Sequence, residues 1–262
     1  MHTEILSWSA TAPGASGAAA AALTGDSLTI KNNRGISGPR ILNVWGMQQT
    51  SGFQQIAFPS GHDTTRGYRY GVEAGDTYER LPRGMQIPVT AQELLTITVA
   101  GSATAGDVEI GCASVFYPDL PGVDARTVTW AQLQSRFEKM TTVFATIAGT
   151  GAGYTGGELI NAESDLLLAN RDYAVLGGAT TVDCAAVTIV GPDTGYARRG
   201  FPGADQVEDL SSDFFCEQAR THDLSLIPVM NSGNRNATTI GIIQDENNVN
   251  VIVTLYLALL KK

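Results

Sequence analysis

Positive charge is scarce in this chain of 262 residues: 17 Lys and Arg stand against 26 Asp and Glu, a net charge of −9. A nonspecific grip on nucleic acid needs clustered cations that displace counterions, and no basic block occurs along the sequence. Cysteine is nearly absent. Cys112, Cys184 and Cys216 are widely spaced and form no CxxC, which argues against a disulfide framework or a zinc knuckle and reads as buried free thiols. Histidine is equally rare, and His2, His62 and His222 stand in unrelated contexts, unlike the several His and a Glu of a two-domain cupin metal site. No GxSxG nucleophile elbow occurs, and carboxylate pairs such as Glu163 with Asp165, or Asp245 with Glu246, fall in polar loop segments. The expectation is therefore no catalytic, cofactor-binding or metal-ligating set, and no enzyme. Long apolar runs are missing too. Val249–Leu260 falls well short of the ~20 residues of a membrane-spanning helix and reads as a buried strand. The opening MHTEILSWSA lacks the basic start and apolar core of a signal peptide, so folding in a cytoplasm is expected. Without secretion the sequon Asn236-Ala237-Thr238 carries no meaning.

What the chain does contain is itself, twice. The segment Ile56–Tyr68, IAFPSGHDTTRGY, returns without a gap as Ile189–Phe201, IVGPDTGYARRGF. Pro59, Arg66, Gly67 and Tyr68 thus meet Pro192, Arg199, Gly200 and Phe201. Downstream, the IPV of Ile87–Val89 recurs at Ile227–Val229, and DVEI at Asp107–Ile110 is echoed by NVNV at Asn248–Val251. Repeated elements in the same order indicate two copies of one domain, divided here as residues 1–122 and 123–262. Within each copy the proline stops a strand, the glycine holds a place where a Cβ would be strained, and the aromatic drops into a core. Arg66 and Arg199 read as clamps on a nearby carboxylate or carbonyl rather than as anion ligands.

With 43% hydrophobic and 16% charged residues, the composition is that of a packed globular protein. Short β-branched and apolar stretches recur between turn clusters: Glu4–Ser9, Ser27–Lys31, Arg40–Trp45, Gly52–Phe58, Leu94–Ala100 and Asp107–Tyr117 in the first copy. Glu158–Ile160, Asp172–Leu176, Val182–Val190, Asp223–Met230, Thr238–Ile243 and Val249–Leu260 continue the pattern in the second. Many brief strands and hardly a helix point to an all-β chain of two tandem antiparallel β-sandwiches. Thr11–Ala22 is a Gly/Ala/Ser-rich arm, mobile until a neighbour fixes it. Asp63–Leu81 is a polar excursion carrying Tyr68, Tyr70 and Tyr78. Gly149–Gly157, GTGAGYTGG, lacks the GK[ST] ending of a phosphate loop and reads as a plain loop. Two helices are expected. The first is opened by a Thr129–Gln132 capping box and carries Trp130, Leu133, Phe137, Met140, Phe144 and Ile147 at helical spacing, ending before Gly149. Its apolar side, with Phe137 buried, should pack at the domain junction or on a trimer interface, leaving Gln134 and Glu138 to water or a neighbouring chain. The second helix falls within Ala204–Arg220.

On IAFP…RGY with IVGP…RGF, MQIPV with SLIPV, and DVEI with NVNV, the organisation resembles the double jelly-roll major capsid proteins of tailless, membrane-containing icosahedral bacteriophages, the hexon-like lineage. The resemblance implies two eight-stranded jelly rolls per chain, a homotrimer of pseudo-hexagonal outline, and a capsid lattice over an internal membrane. It also implies contacts with other virion proteins such as penton or membrane-associated proteins, and no sequence-specific binding of nucleic acid. Two similar domains per chain let a three-fold trimer present nearly six-fold edges. The other readings are a phage spike, tail or decoration protein, a tandem carbohydrate-binding sandwich supported by the tyrosines near Tyr68 and Tyr78, and a cryptic hydrolase.

Overall fold

The computed structural model describes residues 1–11, 18–23, 26–47, 52–61, 63–72, 81–82, 84–100, 108–151, 153–160, 167–181, 184–203, 211–244 and 249–262. Its first nine strands are β1 (His2–Thr11), β2 (Ala18–Ala19), β3 (Ala21–Ala22), β4 (Arg40–Met47), β5 (Gly52–Phe58), β6 (Asp63–Val72), β7 (Ile87–Pro88), β8 (Thr96–Ala100) and β9 (Val108–Tyr117). After them come β10 (Thr127–Val128), helix α1 (Trp130–Arg136), β11 (Phe137–Ile147), β12 (Gly153–Leu159), β13 (Asp172–Thr180), β14 (Ala186–Val190), β15 (Arg199–Pro202), helix α2 (Phe214–His222), β16 (Ile227–Asn231), β17 (Thr239–Gln244) and β18 (Val251–Leu260). The chain is all-β, and every ladder is antiparallel.

The strands form four sheets, ordered β3-β1-β9-β4-β7 and β2-β8-β5-β6 in the first half of the chain, β10-β16-β13-β18-β11 and β12-β17-β14-β15 in the second. Setting aside the two-residue flanking strands β3 and β10, each half has eight strands in the orders 1-8-3-6 and 2-7-4-5. That is jelly-roll connectivity, drawn twice. Inward side chains follow the period of two. Leu6 and Trp8 of β1, Ala113 and Val115 of β9, and Ile56 and Ile97 from the opposing sheet make the first core. A buried polar node ties its two sheets, because Trp8 Nε1 donates to Gln54 Oε1 at 3.2 Å and Gln54 Nε2 to the Ile110 carbonyl at 2.9 Å.

The repeated segment forms the same strand-turn-strand in each half. β5 and β14 end at Phe58 and Val190, Pro59 and Pro192 each open a 3-10 turn, and β6 and β15 return beside them. Gly67 has φ +52°, and a Cβ there would stand 2.0 Å from the Ile56 carbonyl oxygen; Gly200 has no room for one, with Val187 O at 2.1 Å. Ile87 and Ile227 both sit in the sixth strand of their jelly roll, and the DVEI and NVNV segments lead into the eighth, β9 and β18. Asp107 and Asn248 lie outside the described residues.

Four expectations are corrected. The capping box forms, with Gln132 N donating to Thr129 Oγ1 at 3.1 Å and Thr129 N to Gln132 Oε1 at 2.9 Å, but α1 stops at Arg136. Phe137–Ile147 is a strand instead. Five of its residues, Thr141, Thr142, Val143, Thr146 and Ile147, are β-branched, and pairing with β18 buries Val143, Ala145 and Ile147 on alternate positions. The helical spacing of Phe137, Met140 and Phe144 therefore does not mark a buried stripe. Part of the Gly/Ala arm is paired within its own chain, Ala18–Ala19 to β8 and Ala21–Ala22 to β1, while residues 12–17 lie outside the described residues. Gly153–Gly157 of the glycine loop belongs to β12 and faces β17, so it is strand from its fifth residue on. Ser27–Lys31 keeps only an isolated bridge, Thr29 to Leu94, and the second helix lies at Phe214–His222, with residues 204–210 not described.

Candidate assembly surfaces

A strand apolar on one face needs one neighbour, whereas β4 and β9 are apolar on both. Ile41 and Val44 point into the first core, and Leu42, Trp45 and Met47 point out. Likewise Ala113 and Val115 point in, Ile110, Cys112 and Phe116 out. These outward side chains are buried because the second half covers them, and they merge with its core into one apolar cluster. Trp45, with no exposed surface, donates from Nε1 to the Ala185 carbonyl at 2.7 Å and meets Phe214 of α2 edge-to-face, centroids 6.0 Å apart. Ile5 N donates to the Arg198 carbonyl at 2.9 Å, so the outer edge of β1 is closed partly by the second half and partly by β3. Arg198 pairs with Asp26, which also accepts from the Ser7 hydroxyl, while its guanidinium lies 4.5 Å from the centre of the Tyr154 ring. The junction thus joins the outer face of β1-β9-β4 to the outer side of β12-β17-β14-β15 and to α2.

Among the described residues the matching face of the second half is covered only in part, by α1 and α2. On β11 and β18 the outward residues Met140, Phe144 and Ile252 keep 56%, 48% and 39% of their surface, and Phe137 keeps 42%. With Trp130, Leu176 and Tyr256 they border a groove of about 650 Å³ between α1, α2 and the sheet. The free edge of β11 has no ladder partner among the described residues, where the same edge of its counterpart β1 has a ladder with β3 and the single bond to Arg198. On the outer side of the first half's smaller sheet Phe53 is half-buried while Gln55 and Ala57 are buried. There the Arg69 guanidinium stacks 4.4 Å over Phe53 and donates to Gln55 Oε1 at 2.8 Å.

The predicted residues divide between these surfaces and the cores. Leu133 is buried and Trp130 half-buried beside α2, where Arg220 lies 5.2 Å over its ring, while Phe137 and Phe144 are exposed on the partly covered face rather than packed at the junction. Gln134 and Glu138 are exposed, and Glu138 pairs with Arg171 at 2.6 Å. Phe201 is fully buried, edge-to-face with Phe215, and Tyr68 packs half-buried against Tyr70. Tyr70 is buried, and Tyr78 lies outside the described residues. Arg199 is not the clamp expected of it. Its side chain has no exposure and none of its three nitrogens has a hydrogen-bond partner, and burial lowers its pKa to about 9. The Arg66 side chain is outside the described residues. Trp45, Phe214 and the Arg198–Asp26 pair were missed in sequence; the readable signal for Trp45 was a strand, ILNVW, apolar on both faces.

The three thiols are buried, with Cys112 held well above its ordinary pKa and Cys216 pushed up to about 12 by burial. Among the described residues no three His, Cys, Asp or Glu side chains come together as a metal site, and no helix is long and apolar enough to cross a membrane. A junction cleft of about 530 Å³ lies between β4, Met85 and α2; His222 at its rim sits 3.0 Å from Gln86 Nε2, its pKa lowered by burial.

No protein-family model matches the chain, and no curated protein matches it in sequence. Among solved structures the chain is similar to the PBSX exported protein XepA, with TM-score 0.29 and 10% identity over 98% of this chain and 86% of that one. It is also similar to the major capsid protein P2 from bacteriophage PM2, with TM-score 0.21 and 10% identity over 98% and 97% of the two chains.

Proposed function

We propose that this chain is a structural subunit of a virion shell, a major capsid protein whose three copies close into a pseudo-hexagonal capsomer. The observation that carries the reading is the contrast between the two halves: the first half's larger sheet is covered on its outer face by the second half, and on the second half's equivalent face Phe144 and Met140 stay about half exposed among the described residues. The internal junction joins two different surfaces and is therefore heterologous. Such a contact repeats from unit to unit until it closes a ring. Each chain has used one of its two larger-sheet faces internally and leaves apolar side chains exposed on the other, so a contact of the same kind made between chains builds a ring of alternating halves. Three chains supply the six jelly rolls of a hexagonal outline. Such a capsomer would then tile a shell, folded in the host cytoplasm and meeting other virion proteins at its edges.

Light scattering of the purified chain tests this. The expected mass is three times the 27.6 kDa of one chain, with a hexagonal outline in micrographs. A monomer at micromolar concentration refutes the capsomer.

A further inference from the structure

The acidic balance of the chain reverses at one end of its second half. There the last residue of α1, the corner before β13 and the end of β18 bring Arg136, Arg171, Lys261 and Lys262 around a cleft of about 120 Å³, and Asp172 is the one acidic side chain in the lining. These cations are far apart in sequence, so no basic block announces them. Two of them are held in place largely by main-chain oxygens. Arg171 Nη2 donates to the Leu260 carbonyl at 2.9 Å, and Arg136 donates from Nε and Nη2 to the Lys261 carbonyl at 3.4 and 3.3 Å. A carbonyl orients a guanidinium without cancelling its charge.

Two acidic groups lie nearby, and each is shared with other donors or exposed. Asp172 takes two bonds from Arg126, at 3.1 and 2.7 Å, and one from Asn231 Nδ2 at 2.8 Å, and lies 4.0 Å from Arg136. Those donors hold its carboxyl below the usual range against the opposing effect of burial. Glu138 pairs with Arg171 Nη2 from the exposed side. What is left over is Arg171 Nε, a buried donor with no acceptor, and two lysines with no acidic partner among the described residues. Planar guanidiniums already fixed in direction suit a tetrahedral oxyanion, because donors that are ordered beforehand lose little entropy on binding.

We propose that this cleft binds a phosphate-type oxyanion, held by Arg171 and Arg136 with Lys261 and Lys262 closing over it. Inorganic phosphate and a phospholipid headgroup present the same chemistry. The test titrates the full chain with inorganic phosphate at constant ionic strength, followed by calorimetry and phosphorus resonance broadening, for the wild type, Arg171→Gln and the Lys261→Gln/Lys262→Gln double variant. Saturable binding, weakened roughly tenfold in each variant (~1.4 kcal/mol) with the thermal midpoint of the lysine variant unchanged, supports the site. Flotation with vesicles of phosphatidylglycerol and phosphatidylcholine separates the sources. Flotation lost in the lysine variant assigns the headgroup, and phosphate binding without flotation assigns the free anion. Absence of saturable phosphate binding, binding indifferent to both variants, or vesicle binding without phosphate binding overturns the proposal.

Discussion

Replacing Phe144 by Glu places a carboxylate at the middle of the partly covered face on β11, opposite Thr254 on β18. Full burial of a Phe or Met side chain contributes ~1.5–3 kcal/mol, and about half of each surface at Phe144 and Met140 remains exposed in the single chain. Covering each by a neighbour is therefore worth ~1 kcal/mol, and Phe137 and Ile252 add similar increments before the cost of association is subtracted. Phe144→Glu removes one increment and forces an unpaired carboxylate partly out of water, a further cost of ~2 kcal/mol. The sum weakens each contact by ~3 kcal/mol, a factor of about 100. Within one chain the substitution should cost less than ~1 kcal/mol, because the side chain is half in water already. The assay is mass by light scattering across a dilution series, beside the thermal midpoint, with Asn236→Glu on an exposed turn as control. The expected result is a folded Phe144→Glu monomer at concentrations where wild type and control remain assembled. An assembled Phe144→Glu protein refutes the assignment of this face.

Trp45→Ala should cost ~3–5 kcal/mol, and Trp45→Phe only ~1 kcal/mol, because the Ala185 carbonyl that loses the indole donor still accepts from Gly203 N at 3.4 Å, both read from urea midpoints; a smaller loss in Trp45→Ala means that the two halves do not depend on this contact. Arg199→Met should raise stability by ~1 kcal/mol or more at unchanged urea slope, since an apolar chain of similar length replaces a buried charge with no partner; a loss of stability would show that the guanidinium is held by an anion. His2 is stacked on Tyr117, and burial, then the nearby Arg199, lowers its pKa from 6.5 to about 3. The folded value lies below the unfolded one, so the contribution is complete above pH 6.5 and is lost as pH falls toward 3, with a slope of ~1.4 kcal/mol per pH unit. His2→Phe keeps the stack and should flatten urea-measured stability between pH 6.5 and 4.5, where the carboxylates have yet to titrate; an unchanged slope excludes His2 as the acid-sensitive group.

The sequence by itself determined the duplication, the all-β class and the strand-turn-strand of each repeat, because these rest on short-range chemistry. Pro59 and Pro192 stop a ladder wherever they stand, Gly67 and Gly200 admit a backbone that no Cβ allows, and alternation marks a half-buried strand without reference to its partner. It also found Trp130, Leu133, Phe137 and Phe144 as apolar residues in need of cover. Only the tertiary structure decided what they do. A capped apolar stretch such as Trp130–Ile147 satisfies helical and extended spacing together, and the ten-residue strand β18 tips it toward the sheet from Phe137 on by offering a ladder that a helix cannot use. Which face of a sheet is covered depends on where a whole second half docks. Trp45 therefore reads like any apolar strand residue until Ala185 and Phe214 arrive. The Arg198–Asp26 pair joins residues 172 positions apart, and the cationic cleft draws Arg136, Arg171 and Lys261 from three separate strand ends. Charge clusters of that kind have no local signature, because Coulomb interactions follow distance in space and not along the chain.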